Sequence, residues 1–159
     1  MLQIDILAYG RLKEDYLRAA CYEYEKRLKS MCKLRIEELT PTYLPENPSA
    51  AGIARALQEE ALRLRALLPK QSAVIPLCIE GRPVDSEGFA GVLERYAETP
   101  GRVAFLIGSS HGLDAALKQE GDMKLSLSPM TFPHQLTRVM LLEQIYRALS
   151  IIGGGKYHK

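Results

Sequence analysis

Hydrophobic residues follow two different spacings along this chain, and the two spacings alternate. Every second residue is apolar from Leu2 to Ala8, which indicates a half-buried strand, whereas apolar residues recur three and four positions apart over residues 13–30, which indicates an amphipathic helix. Continuous apolar runs at 72–79 and 102–107 are typical of strands covered on both faces. The same patterns predict strands at 32–37 and 123–127, and helices after Ser49 and at 85–98, 113–120 and 133–152.

The alternation of strands and helices predicts the fold class. It favours one α/β domain over residues 1–159, with a parallel or mostly parallel sheet and helices on both faces. Pro76 lacks the amide hydrogen that a central strand needs, so we expect a bulge or an unpaired stretch beside it. Ligands of such sheets bind beyond the carboxyl ends of the strands. The predicted ends are rich in glycine, serine or threonine: Gly10, Glu80–Gly81, Gly108–Gly112 and Ser126–Thr131.

Composition adds few restrictions to this fold. The chain of 159 residues is 47% apolar and 25% charged, as is usual for globular proteins, and its net charge of +2 neither requires nor excludes a nucleic-acid partner. Positive charge is concentrated toward the two ends. Residues 11–35 hold eight Lys/Arg against four Asp/Glu, and residues 129–159 hold four against one. These segments are either contact surfaces for an anionic partner or solvated helix faces.

The cysteines and the first residues of the chain indicate the cellular compartment. Cys21, Cys32 and Cys78 are odd in number, widely spaced and set in apolar patterns. This predicts buried thiols in a reducing compartment, with neither a disulfide framework nor a metal site. No sustained apolar run begins the chain, so we expect neither a signal peptide nor a membrane span. The expectation is a cytoplasmic protein that needs no metal.

The turn at residues 108–112 offers a first candidate chemistry. It reads GSSHG and matches the G-x-S-x-G elbow of α/β-hydrolases, between a buried strand and a helix. In a small serine hydrolase the nucleophile, base and acid would be Ser110, then His134 or His158, then Asp114 or Asp122. The short chain counts against this hypothesis, and the other glycine cluster, Gly153–Gly155, lies at the wrong end of the chain to form an oxyanion hole. The favoured alternatives are a strand-to-helix turn that needs glycine for its backbone angles, or a turn that contacts a ligand.

The loop at residues 125–132 offers a second candidate. It reads LSLSPMTF and presents backbone groups, hydroxyls and apolar side chains, a mixture that suits the edge and faces of a purine. Gly108 allows the backbone to pass close to a sugar. Neither G-x-G-x-x-G nor G-x-x-x-x-G-K-[ST] occurs, so a nucleoside without phosphates is expected. S-adenosylmethionine is a ligand of that kind.

Three segments together resemble one protein family. They read FLIGSSHGL, LSLSPMTFPHQLTRVMLLEQIYRA and GKYHK, and the whole chain is similar to the SPOUT-class 23S rRNA pseudouridine N3-methyltransferases. The resemblance implies an α/β domain with a C-terminal trefoil knot, a homodimer with sites at the subunit interface, and S-adenosylmethionine as cofactor. It further implies a pseudouridine in a stem-loop of 23S rRNA, methylated on the assembled ribosome.

Cofactor contacts implied by the resemblance fall on the strand ends already singled out. These contacts are Leu77, Gly108, Leu127, Ser128, Pro129, Met130, Thr131 and Phe132. The turn at residues 109–111 differs from the glycine-rich or acidic turns of the family. This difference weakens a catalytic role for Ser110 or His111.

Methylation of N3 needs a proton acceptor, because this imide nitrogen must lose its proton before it attacks a methyl group. Histidine is the side chain that ordinarily serves as a proton acceptor at neutral pH, so His134 and His158 are the candidates, and the sequence does not choose between them. The alternative for His134 is a cap on the helix at 133–152. That helix is apolar around much of its circumference, which suits burial either in a dimer or in the core.

Other polar residues near the C-terminus have predicted contacts with RNA. Arg138 would hold a phosphate or a carbonyl oxygen, with a plain surface charge as the alternative. Beyond a glycine hinge at 153–155, Tyr157 would stack on the target base. Lys156 and Lys159 would meet phosphates, although a disordered tail is the alternative. A salt bridge is predicted between residues 143 and 147, and a non-enzymatic rRNA-binding protein is the third functional hypothesis.

Overall fold

The computed structural model describes residues 1–158, in which five strands form one sheet. The strands are β1 (Gln3–Tyr9), β2 (Lys33–Leu39), β3 (Ala73–Pro83), β4 (Arg102–Ile107) and β5 (Leu125–Ser126). Their order across the sheet is β2-β1-β4-β3-β5, and every pairing is parallel. The predicted single-domain α/β fold with a parallel sheet is confirmed.

Five helices connect these strands in the part of the chain that is described. They are α1 (Asp15–Leu28), α2 (Ala50–Leu67), α3 (Ser86–Glu98), α4 (Ala115–Glu120) and α5 (His134–Ile152). Helix α2 begins as predicted, because the Ser49 hydroxyl accepts a hydrogen bond from the Gly52 amide at 3.0 Å. Helix α5 follows Pro133 without a side-chain cap, so His134 does not cap it.

Buried side chains lie on both faces of the sheet. On one face α1, α3 and α5 cover a large cluster that includes Ile4 and Phe105. On the other face a smaller cluster joins Tyr9 to residues of α2 and α4, among them Leu64 and Leu117. The helices therefore pack on both faces, as predicted. None of the helices within residues 1–158 is long and apolar enough to cross a membrane.

Strand β3 departs most from the predicted pattern. Its pairing with β4 ends at Pro76, and its pairing with β5 shifts register between Leu77 and Arg82. The irregularity expected beside the proline is therefore present. β3 extends beyond the predicted end at residue 79, and β5 is shorter than the predicted 123–127. The length of β5 is limited by the irregular partner strand, which gives it few positions to pair with.

Candidate active site

A cavity of about 740 Å³ opens at the carboxyl ends of β3 and β4. This volume is in the usual range for small-molecule sites, and the position is the one where parallel sheets bind ligands. Its walls come from the second half of β3, the turn after β4, the loop after β5 and the first turn of α5. Of the predicted cofactor contacts, the cavity is lined by Leu77, Gly108, Leu127, Ser128, Met130, Thr131 and Phe132. Pro129 belongs to the same loop but is not part of the wall.

The loop after β5 is held against β3 by hydrogen bonds and close backbone contact. The Ser126 hydroxyl lies 3.0 Å from the carbonyl oxygens of both Ile79 and Ser128, and the Met130 amide donates to the Ser128 hydroxyl at 3.0 Å. A Cβ atom added to Gly81 would lie 2.7 Å from the Leu125 carbonyl carbon, so only glycine fits there. The loop thus has a fixed shape while it presents its residues to the cavity.

The turn after β4 is tight because two glycines meet. A Cβ atom on Gly108 would lie 2.3 Å from the Gly112 carbonyl oxygen, and Gly112 itself has a φ of +83°. Ser110 is exposed on this turn and lines the cavity. The two acids considered for a hydrolase triad are used elsewhere: Asp114 caps α4, and Asp122 accepts from the Val74 amide at 2.7 Å. The hydrolase hypothesis therefore lacks an orienting acid.

His134 is the predicted proton acceptor that lines the cavity. Its imidazole packs on Gly10, where an added Cβ atom would lie 2.8 Å from Nε2. Burial lowers the pKa of His134 below its ordinary value of 6.5, and the positive charges of Arg138 and Lys13 lower it further. The imidazole is accordingly neutral near pH 7 and able to accept a proton.

Arg138 lies one helical turn after His134 but is not on the cavity wall. It is only 3% exposed, so the alternative of a plain surface charge is wrong. Its Nη1 donates to Glu38 Oε2 at 2.5 Å and its Nη2 to the Gly10 carbonyl oxygen at 2.9 Å. One terminal nitrogen therefore holds the loop after β1, against which the imidazole packs, and the other is paired with a glutamate of β2.

The C-terminal tail folds back from the end of α5 onto the middle of the helix. The Tyr157 ring meets Tyr146 edge-on, with centroids 4.7 Å apart, and its hydroxyl donates to Glu143 Oε1 at 3.2 Å. The predicted salt bridge is present, with Arg147 Nη2 2.5 Å from Glu143 Oε1. His158 Nδ1 is 3.5 Å from Arg147 Nη1.

No described tail residue lines the cavity. The contacts of Tyr157 with Glu143 and Tyr146 lie 9 and 12 residues after His134 on α5, roughly 14 and 18 Å along the helix axis at about 1.5 Å per residue. The chain turns back through Gly153–Gly155, where the Gly155 amide donates to the Ser150 carbonyl oxygen at 2.8 Å. Lys156 is exposed, and Lys159 lies outside the described residues. Within one chain, the tail and His134 are therefore not brought together.

Two charged residues on the cavity wall escaped prediction as site residues. Glu80 and Lys118 form an ion pair there, and the hydrogen bond from Lys118 lowers the pKa of Glu80. The strand end at Glu80–Gly81 was a usable signal for the first of them. Cys78 also lines the wall and is half-buried, whereas Cys21 and Cys32 are buried as predicted. Residues 1–158 contain no cluster of three or more side chains suited to a metal ion.

The sequence matches a family model almost from end to end. The model is described as a predicted SPOUT methyltransferase, and the match spans residues 2–158. The cavity, the turn after β4, the loop after β5 and all of α5 lie within the matched range.

Proposed function

The chain belongs to the SPOUT methyltransferase family, and we propose that it transfers a methyl group from S-adenosylmethionine to N3 of a pseudouridine in 23S rRNA. The substrate in this proposal is the assembled ribosome, and the site of action is the cytoplasm. The observation that carries the proposal is a cavity that combines the loop after β5 with a neutral imidazole on one wall.

The cavity walls fit the proposed cofactor in size and in chemistry. The close approach of Gly108 and Gly112 leaves backbone uncovered by a side chain, which suits contact with a sugar. Leu77, Leu127 and Phe132 provide apolar surface for the faces of a purine, while the backbone of the loop provides hydrogen-bonding groups for its edge. The cation on the wall, Lys118, is already paired with Glu80, as suits a ligand without phosphates.

The residues of this chain would then prepare the target nitrogen for attack. The bound cofactor supplies a methyl group on a positively charged sulfur. His134, neutral at pH 7, accepts the N3 proton, so that the nitrogen lone pair becomes available. Arg138 holds the Gly10 loop in place and thereby fixes the imidazole at the wall. Burial raises the pKa of Tyr157 to about 12, and its aromatic ring is the group that would stack on the target base.

A homodimer would bring the tail to the cavity. Because no described tail residue lines the cavity of its own chain, we propose that the tail of one protomer closes the cavity of its partner. Exposed apolar side chains near the cavity suit such an interface: Ile79 is 54% exposed and Met130 69%. The trefoil knot implied by the sequence resemblance is part of the same proposal.

Cofactor binding and methyl transfer test the proposal directly. Calorimetry should detect binding of S-adenosylmethionine to the purified protein. Labelled methyl groups should pass to intact ribosomes and much less to free rRNA or separated subunits. Ribosome binding without methyl transfer would instead support a non-enzymatic RNA-binding protein. Absence of cofactor binding, together with fluorophosphonate labelling of Ser110, would revive the hydrolase hypothesis.

A mixing experiment tests whether the tail acts across the dimer. A variant without residues 156–159 and the His134→Ala variant should each bind the cofactor but transfer no methyl group. After the two proteins are mixed and allowed to exchange subunits, one site in each heterodimer has an intact His134 and an intact partner tail. Activity should therefore return in the mixture. Full activity of the truncated protein alone would remove the tail from the mechanism.

A further inference from the structure

Glu60 is a buried carboxylate that the proposed mechanism does not use. It lies on α2, is 4% exposed, and receives hydrogen bonds from two loops. The Ser109 hydroxyl donates to its Oε1 at 2.7 Å, and the Thr42 amide donates to its Oε2 at 3.0 Å. Its own backbone carbonyl accepts a hydrogen bond from the Tyr9 hydroxyl at 2.7 Å.

This carboxylate has hydrogen-bond donors but no ion-pair partner. Within residues 1–158, no Lys, Arg or His nitrogen approaches it to 4.0 Å. The nearby Arg63 lies over the Tyr9 ring at 5.1 Å and donates instead to the Thr40 carbonyl oxygen and the Thr42 hydroxyl. Burial of a carboxyl group without a cation is costly, so the neutral donors around it must be well placed. An apolar residue here would avoid this cost but would leave Ser109 without its acceptor.

The contact with Glu60 attaches the middle of the turn after β4 to helix α2. Gly108 and Gly112 close the turn on itself, and the buried Leu113 anchors its end. Among the described residues, the bond from Ser109 to Glu60 is the only side-chain hydrogen bond that residues 108–112 make. The same turn forms one wall of the cavity. The carboxylate therefore acts on the wall from behind, without contact with a ligand.

We propose that Glu60 is a positioning residue for cofactor binding, which holds the turn at 108–112 in its binding shape through Ser109. The inference rests on the proposed function, because the ligand it concerns is S-adenosylmethionine. The second carboxylate oxygen binds Thr42 in the loop after β2, so one group ties two loops together at the same edge of the sheet. Loss of the carboxylate frees the turn, and the cofactor must then restore its shape on binding.

The test is a double-mutant cycle read by calorimetry with S-adenosylmethionine. Ser109→Ala should weaken binding about fivefold and Glu60→Ala about tenfold, which is the scale of one or two hydrogen bonds. The double variant should bind no more weakly than Glu60→Ala alone, because both changes break one contact. Glu60→Gln should bind almost as the wild type does, since its amide can accept from Thr42 and donate to Ser109. In methyl transfer, Ser109→Ala should raise KM for the cofactor and leave kcat unchanged.

Ser86→Ala is the matched control. It also removes a serine hydroxyl that hydrogen-bonds a side chain, Gln144 at 2.9 Å, but away from the cavity. It should lower Tm about as much as Ser109→Ala and leave cofactor affinity unchanged. Wild-type affinity in both Ser109→Ala and Glu60→Ala, or strictly additive losses in the cycle, would overturn the inference alone. If Glu60→Ala does not fold, the cofactor affinities of Ser109→Ala and Glu60→Gln still test the role of Glu60. Failure of the wild type to bind would remove the proposed function and this inference with it.

Discussion

Two carboxylates are buried on the same face of the sheet and differ in what surrounds them. Asp5 belongs to the amino-terminal half of β1 and accepts hydrogen bonds from Arg35 Nε at 2.6 Å and Arg102 Nε at 2.7 Å. Glu60 lies beside the carboxyl end of the same strand, and within residues 1–158 its carboxylate accepts hydrogen bonds from one hydroxyl and one amide. Asp5 is paired with two cations, and this pairing stabilises the sheet. Glu60 is bound by neutral groups of two loops, and these bonds hold the shape of the cavity.

The sheet therefore has a stabilising edge, which contains Asp5, and a binding edge, where Glu60 supports the cavity. Both arginines near Asp5 remain partly exposed, with side chains 44% and 31% accessible, so water still solvates their charges. At the other edge, glycines and loop hydroxyls hold backbone in place around a cavity. Changes at the binding edge should therefore affect ligand affinity and rate, whereas changes near Asp5 should affect unfolding.

The largest effect is expected from His134→Ala at the binding edge. Loss of a general base should lower kcat for methyl transfer to ribosomes by about 100-fold or more, with cofactor affinity unchanged. Since burial lowers the pKa of His134, wild-type activity should persist below pH 6.5 and decline only in more acidic buffer. A variant as active as the wild type would assign the proton to solvent or to His158.

Gly108→Ala should have the next largest effect. Its Cβ atom would lie 2.3 Å from the Gly112 carbonyl oxygen, so the turn must open. Backbone strain of about 1–3 kcal/mol corresponds to binding weakened by about 5- to 150-fold, which calorimetry with S-adenosylmethionine would measure. Gly91→Ala is the control, because an added Cβ atom on this α3 residue meets nothing within 4 Å. It should leave affinity intact and raise stability by about 0.5–1 kcal/mol.

Local patterns predicted the elements because the periods of strands and helices depend only on neighbouring residues. The cap at Ser49 and the irregularity near Pro76 were predictable for the same reason, since each follows from the chemistry of one residue. The two-residue length of β5 was not predictable, because it depends on pairing with a strand far away in the chain. The order β2-β1-β4-β3-β5 is likewise a property of long-range contacts.

Some residues of the candidate site could be predicted from local sequence, whereas others depend on long-range contacts. The loop after β5 was visible in the sequence because its serines, threonine and apolar residues are contiguous. The bond from Ser109 to Glu60 joins residues 49 positions apart, and a glutamate inside a helical pattern is indistinguishable from a solvated one. The packing of His134 on Gly10 depends on the chain returning to the end of β1. Such contacts require the fold before they can be recognised.

A smaller effect, confined to stability, is expected from Asp5→Asn. The change removes one charge and leaves two guanidinium groups with weaker acceptors, a loss of about 2 kcal/mol for hydrogen bonds to a charged group. Urea unfolding should show a lower midpoint with an unchanged slope. Cofactor affinity of the folded variant should equal that of the wild type. A weakened affinity would show that the two edges are coupled and would contradict the assignment of Asp5 to stability alone.

The smallest effect is the dependence of stability on pH that Asp5 contributes. Burial alone would raise the pKa of this carboxyl, but the hydrogen bonds and charges of Arg102 and Arg35 outweigh burial and lower it below 3.8. Between the folded and unfolded pKa values the unfolded chain binds more protons, so the contribution is complete above about pH 5 and is lost as pH falls through the folded value.

Other carboxylates titrate in the same range, so the difference between wild type and Asp5→Asn isolates this one. The gap in unfolding free energy between the two proteins should be constant from pH 7 to about 5 and should narrow in more acidic buffer. A gap that widens with acid would mean that the folded pKa of Asp5 is raised and that burial outweighs the two arginines. In that case the two arginines would not determine the titration of Asp5, and the contrast between the two carboxylates would rest only on their positions in the sheet.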